Sequence, residues 1–200
     1  FKKEVYKMAR ERKFTVEELY RETRGLLLEC GYDGFTFSLL AGRMDISRSA
    51  LYKYYENKEE LITDYMLDEY ENFFNELDKI GNYPDFDSQF HYLIDLIFQD
   101  PDLQELIKIG MQLPVQSTKK VRENKEKLDK LHIQMYGALT GFIQLGKDEG
   151  RIKKHLADGL VLGLIFQTIT IPNHFGIPYS EWVSSIKEIL QDGMFVKIDN

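Results

Sequence analysis

The sequence predicts an all-α fold in two parts, a small three-helix unit at the N-terminus joined by one continuous helix to a larger helical bundle. Three observations carry this. Apolar residues recur at intervals of three and four from end to end, and no run alternates polar and apolar residues with the β-branched enrichment a sheet requires. Of 200 residues, 43% are hydrophobic and 13% aromatic, enough to bury a core and far above what a disordered chain carries. The net charge of −7 is unevenly divided: residues 1–60 hold 12 basic and 11 acidic side chains, whereas the other 140 hold 14 and 22. A near-neutral domain, 1–60, therefore precedes an acidic one, 61–200.

The elements follow in order. Thr15 and Glu18 form a capping box, and Leu19, Thr23, Leu26, Leu27 and Cys30 make the inward stripe of a helix that Gly31 stops. A short second helix follows Thr36, burying Leu39, Leu40 and Met44. A third, capped by Ser47, buries Leu51 and Tyr55. The fourth begins near Asn57 and Lys58 and turns Leu61, Met66, Tyr70 and Phe73 inward as far as about Lys79, where residues 81–84 break it. Residues 86–98 are apolar-rich, and Asp100 with Pro101 caps a segment that ends before Pro114. One long helix is predicted over 118–147, with Leu128, Leu131, Met135, Leu139 and Phe142 on one stripe. An uncharged helix from about Leu156 is broken by Pro172, and 180–194 closes the chain with Trp182, Ile186, Ile189 and Leu190 facing one way.

Several classes are disfavoured. Residues 1–13 are charged throughout, with six basic and two acidic side chains, so no secretory signal is expected. Residues 159–180 lack Asp, Glu, Lys and Arg, but their purely apolar core, 160–166, is too short to cross ~30 Å of hydrocarbon, so no membrane association is predicted. The single cysteine, Cys30, can build neither an internal disulfide nor a cysteine-rich zinc site, which fits a reducing compartment. His91 and Asp95 lie one turn apart without a further ligand in sight. No nucleophile elbow or phosphate loop is present. The expectation is a chain with no catalytic residues, no metal and no cofactor.

Residues 36–55 have the spacing of a helix-turn-helix: a short helix, a tight connection at Asp45 and Ile46, and a second short helix. In that geometry one helix enters the major groove of double-stranded DNA while its neighbour crosses the backbone. The face of the second helix not needed for burial displays Arg48, Ser49, Ala50, Lys53 and Tyr54. Small residues at 49 and 50 permit close approach to base edges, and Arg48 can bond guanine bidentately or meet a phosphate. Tyr52, Tyr54 and Lys58 can donate to phosphate oxygens. Thr36, Ser38 and Ser47 complete the candidate DNA-binding set. The basic arm, 1–13, is either a groove-tracking arm or a solvated tail.

These residues resemble the N-terminal domain of the tetracycline-repressor (TetR/AcrR) family over 16–61: Gly31, Tyr32 and Asp33, then Leu40 and Ala41, then Ile46, Ser47 and Arg48, and above all 51–55, Leu-Tyr-Lys-Tyr-Tyr, with Lys58, Glu59 and Leu61. Asp45 stands where the family has glycine in the turn, Tyr55 where it has phenylalanine, and Gly42 sits inside a helix at a cost of ~1 kcal/mol relative to alanine. The resemblance implies a cytoplasmic, nucleoid-associated homodimeric transcriptional repressor on a palindromic operator, released by a small apolar effector. The alternative it leaves open is a DNA-binding dimer whose larger domain binds a protein and has no small effector.

The resemblance also implies dimerisation through the last two helices. Candidate interface residues are Leu160, Leu164, Ile171, Trp182, Ile186, Ile189 and Leu190, because 159–171 is apolar on nearly all faces, which one chain could not easily hide. Candidate effector residues are the aromatic and flexible apolar side chains Phe73, Phe74, Tyr92, Phe98, Ile109, Met111, Met135, Tyr136, Phe142 and Phe166, with His132 and His174 as polar groups; for each, ordinary core packing competes. Gly137 with Gly141, and Gly159 with Gly163, have the spacing of tight helix crossings. The charged run 119–130 reads as a solvated face laced by one-turn ion pairs.

Overall fold

The computed structural model describes residues 14–114 and 118–194, so the basic arm lies outside the described residues. Among the described residues all regular structure is helical: α1 (Val16–Gly34), α2 (Phe37–Arg43), α3 (Arg48–Tyr52), α4 (Lys58–Leu77), α5 (Phe86–Ile97), α6 (Leu103–Met111), α7 (Lys119–Ala138), α8 (Thr140–Asp148), α9 (Asp158–Gln167) and α10 (Tyr179–Met194), with 3-10 turns at Asp78–Asn82 and Thr168–Thr170. No described helix is long and apolar enough to cross a membrane.

Local chemistry sets most of the boundaries. The Thr15 hydroxyl accepts from the Glu18 N–H at 3.0 Å and the Glu18 carboxylate accepts from the Thr15 N–H at 2.8 Å, so the predicted capping box starts α1. Gly31, at φ +67°, leaves the helical basin where the stop is expected, and a last turn to Gly34 follows it. An Asp85–Ser88 box starts α5 in the same way as α1, a signal present in the sequence but not anticipated from it. Three expectations are corrected. Leu39 is half exposed, and Phe37, Leu40 and Ala41 form the buried face of α2, the three- and four-residue steps that share one side of a helix. Ser47 occupies the cap position of α3 without a side-chain cap bond. The long helix predicted over 118–147 is two helices, because Leu139 at φ −86° and ψ 2° interrupts it between Gly137 and Gly141, both poor helix formers.

The chain divides into two compact units, one of residues up to Asp68 with Glu105–Glu126, the other of Glu69–Gln104 with the residues from Lys127 on. Packing thus does not follow a cut at residue 60, since α6 and the start of α7 group with the three N-terminal helices. In the first unit, Leu19, Leu27, Phe35, Leu40, Leu51, Leu61 and Ile62 are fully buried, and Leu106, Ile109 and Leu113 close the same core. In the second, Phe86, Phe90, Leu93 and Ile94 of α5 pack with Leu139, Ile143, Val161, Leu162 and Ile165, and with Ile186 and Leu190 of α10. The tight approach there is at Gly146, where an added Cβ would lie 2.6 Å from the Phe86 ring and 2.8 Å from Ile152. Gly137, Gly141 and Gly159 have nothing within 4 Å, so their spacing does not mark crossings within this chain.

Candidate nucleic-acid interface

The site begins with how α2 ends. Asp45, at φ +52°, takes the left-handed position of a Schellman turn: the Ile46 N–H donates to Ala41 O at 3.0 Å and the Asp45 N–H to Gly42 O at 3.3 Å. Ile46 packs against the core and α3 starts two residues later, so the tight connection follows from one residue in an unusual backbone conformation. Thr36 caps α2 by accepting from Leu39 N–H at 3.2 Å, which makes its hydroxyl structural.

Helix α3 has five residues, too few to stand alone, and is held from behind by Leu51 and Tyr55, both buried. That leaves Arg48, Ser49, Tyr52 and Lys53 lining one open concave surface. Tyr52 is 57% exposed while its ring edge rests on Phe37 at 5.0 Å, and Arg48 Nη1 donates to Ser38 Oγ at 3.3 Å. Ser47 and Ser49 share a hydrogen bond at 2.9 Å. Ala50 and Tyr54 are half-buried, and Tyr54 meets Phe14 edge-on at 6.0 Å. The predicted set therefore separates into outward groups at 48, 49, 52 and 53 and groups engaged in holding the fold.

Lys58 belongs partly to the second kind. Its Nζ donates to Tyr32 O at 2.6 Å and Phe35 O at 3.3 Å and stands 4.0 Å from the centre of the Tyr32 ring, tying α4 to the end of α1. The Tyr32 hydroxyl donates to Glu59 at 2.6 Å; burial, then the Glu59 carboxylate, raises its pKa. Arg43 is neutralised locally, bidentate on Glu29 at 2.6 and 2.9 Å with Glu22 at 3.1 Å, and its hydrogen bonds hold Glu29 below the usual carboxylate range. The cationic character of this face thus rests on Arg48, Lys53 and Lys58.

In the other unit the effector candidates scatter. Met111 is 75% exposed and, like core residue Ile109, belongs with the N-terminal helices. His174 is exposed after α9. Phe142 stacks on Phe86 at 4.8 Å and Phe98 is buried, as core residues. Tyr92 stacks on Tyr83 at 4.7 Å and donates to Glu76 O at 2.6 Å, while Phe73 and Phe74 lie partly buried against the core. Those brought together are His132, Met135, Tyr136 and Phe166: His132 and Tyr136 rings are 5.1 Å apart and Tyr136 and Phe166 5.8 Å. Tyr70 joins them, its hydroxyl 3.2 Å from His132 Nδ1 and 3.5 Å from Met135 Sδ, with its pKa pushed up to about 12 by burial and by Tyr136. Its helical stripe marked it only as core. No group of three or more His, Cys, Asp or Glu suited to a metal occurs among the described residues, and Asp95 pairs with Lys187 at 2.6 Å.

The interface candidates divide too. Ile186 and Leu190 are buried in the chain's own core and Trp182 packs against it, whereas Leu160, Leu164, Ile171 and Ile189 stay 44–69% exposed. Phe175, at 92%, is a further exposed apolar side chain that sequence reasoning missed, because a loop residue belongs to no helical stripe.

Residues 19–65 match the family model described as bacterial regulatory proteins, tetR family. No curated protein matches the sequence. A TetR transcription regulator from Haloarcula marismortui is similar in structure, with a TM-score of 0.69 at 20% identity over 90% of this chain and 98% of that one. So is the transcriptional regulator FadR from Bacillus subtilis in complex with stearoyl-CoA, with a TM-score of 0.64 at 19% identity over 90% of this chain and all of that one. KstR2, a ketosteroid transcriptional regulator of Mycobacterium tuberculosis, has a TM-score of 0.68 at 15% identity over 92% and 97%. At such identities the likeness is one of fold.

Proposed function

We propose that this chain, whose residues 19–65 match the family model of bacterial regulatory proteins, tetR family, is a homodimeric helix-turn-helix repressor of a palindromic operator, released by a small apolar effector. The observation that carries the reading is the division of labour in α3: Leu51 faces the core, while Arg48, Ser49, Tyr52 and Lys53 share one open surface. Arg48 would read a base edge, its guanidinium steadied by Ser38, and Tyr52 and Lys53 would meet phosphates. Two copies of α3 about 34 Å apart would enter successive major grooves.

The exposed Leu160, Leu164, Ile171 and Ile189 support association with a second copy, since apolar groups of this size gain by leaving water together. The aromatic cluster of Tyr70, His132, Tyr136 and Phe166 supports an apolar effector, as does the stearoyl-CoA held by the Bacillus subtilis protein. An effector that prefers the non-binding arrangement would shift α4 and lower operator affinity by its differential affinity for the two states.

Selection from a random-sequence DNA pool by the full chain tests the reading. Enrichment of an inverted repeat, bound by a species that sediments as a dimer, is the expected result. Arg48→Ala should then weaken binding by at least about 1 kcal/mol at matched salt, measured by fluorescence anisotropy. An unchanged affinity would take Arg48 out of the site.

A further inference from the structure

The first turns of α7 carry a buried polar network that the helix-turn-helix description does not use. Glu60, Thr63 and Asn124 are 4%, 0% and 3% exposed. Thr118 Oγ1 donates to Glu60 Oε1 at 2.6 Å, and the other Glu60 oxygen accepts the Glu56 N–H at 2.9 Å. Asn124 Nδ2 donates to Asp64 Oδ1 at 2.7 Å and to Thr63 Oγ1 at 3.1 Å, while Lys120 Nζ reaches Asp64 Oδ2 at 2.6 Å. The same ammonium stands 4.5 Å from the centre of the Tyr55 ring. Lys125 Nζ donates to Leu113 O and Pro114 O, each at 3.0 Å, fastening the end of the α6 segment to the same helix.

Apart from the Lys125 bonds, each contact lands on residues 55–64, the stretch that follows the recognition helix. Tyr55 is the buried anchor of the α3 C-terminus, its N–H bonded to Leu51 O at 3.1 Å, and Glu56 begins the turn into α4. A partly buried ion pair on a buried polar network is a weak way to add stability, because desolvation offsets much of the attraction, but it is directional and fixes one geometry over near alternatives. Resting on the reading of α3 as the DNA-contacting helix, we propose that Lys120, supported by Thr118 and Asn124, is a positioning residue for DNA recognition. The head that binds DNA is then completed by the first turns of α7, which hold residues 55–64 and through them the exit of α3. Lys120 does this while bonded to Asp64 and seated on Tyr55, without touching DNA.

The test compares full-length wild type with Lys120→Met and Lys120→Arg, using the operator that the wild type selects from the random pool. Lys120 is 39% exposed at its side chain, so neither change buries a new charge or opens the core. Lys120→Met should weaken operator binding by about tenfold, in the range seen for substitutions in coupled networks, while Lys120→Arg, which keeps both the ion pair and the ring contact, restores it. Thermal midpoint should move little, and the slope of log affinity against log salt should stay at the wild-type value. Equal affinity of Lys120→Met and wild type overturns the proposal. A salt slope lowered by about one in Lys120→Met overturns it differently, by making Lys120 a phosphate contact. A wild-type chain that enriches no DNA sequence overturns the regulator reading itself, which neither Lys120 result does.

Discussion

In the unit formed by residues up to Asp68 with Glu105–Glu126, the buried side chains include Thr23, Glu60, Thr63 and Asn124; in the unit formed by Glu69–Gln104 with the residues from Lys127, the buried polar side chains among the described residues are Gln89 and Thr168. The first unit contains α2 and α3, of seven and five residues, which expose one face and cannot enclose much apolar area. Its geometry therefore depends on caps, a Schellman turn and directional polar bonds. The second contains stacked aromatic rings and helices such as α5 with seven buried residues, so its geometry depends on volume. Polar bonds specify angle and register at little gain in stability, whereas close packing stabilises strongly and tolerates little change of shape.

If that contrast holds, the largest stability effect lies in the second unit. Phe90→Ala removes a fully buried ring and should cost about 3–5 kcal/mol, measured by urea unfolding. Gly146→Ala should cost about 1–3 kcal/mol, because the added methyl would press on Phe86 and Ile152, both held in the core. A neutral result there would show that this core yields more easily than the contrast requires. In the first unit Asp45→Gly should raise stability, by at most about 1 kcal/mol, since glycine adopts φ +52° freely but also adds entropy to the unfolded chain. The Lys120 variants sharpen the comparison most, because their expected effect is on operator affinity with little change in stability.

Short-range features were legible in the sequence. The Thr15–Glu18 box, the helix start after Thr36, the break at Gly31 and the burial of Leu51 and Tyr55 all depend on residues within a turn or so of one another. The same periodicity turned Arg48, Ser49 and Lys53 outward, but it also turned out Ala50 and Tyr54, which are half-buried, and it did not single out Tyr52, which lines the open surface. The failures are long-range. Lys120 and Asp64 are 56 positions apart, and nothing local pairs them. Arg43 adds a positive charge to the helix-turn-helix when charge is summed along the sequence, but Glu29, 14 residues earlier, neutralises it. Leu39 is exposed because Phe37 and Ala41 take the buried side of α2, which a stripe drawn through Leu39, Leu40 and Met44 mistakes by one step.

The larger part shows the same limit. An apolar stripe states that a helix buries a face, not which helix covers it, so the sequence could not divide Ile186 and Leu190, covered within the chain, from Ile189, left exposed between them. Nor could it separate Met135 and Tyr136, near Tyr70, from Ile109 and Met111, which belong with the N-terminal helices. What the sequence by itself determined is the all-helical class, the helix-turn-helix and the likeness of residues 19–65 to the tetR family, because these are written in spacings of three, four and a few more residues. The tertiary structure alone decided that Glu105–Glu126 packs with the head, that Gly146 is the tight crossing and that Lys120 sits on Tyr55. Those depend on which faces meet, and a meeting of faces is set by the packing of the whole chain.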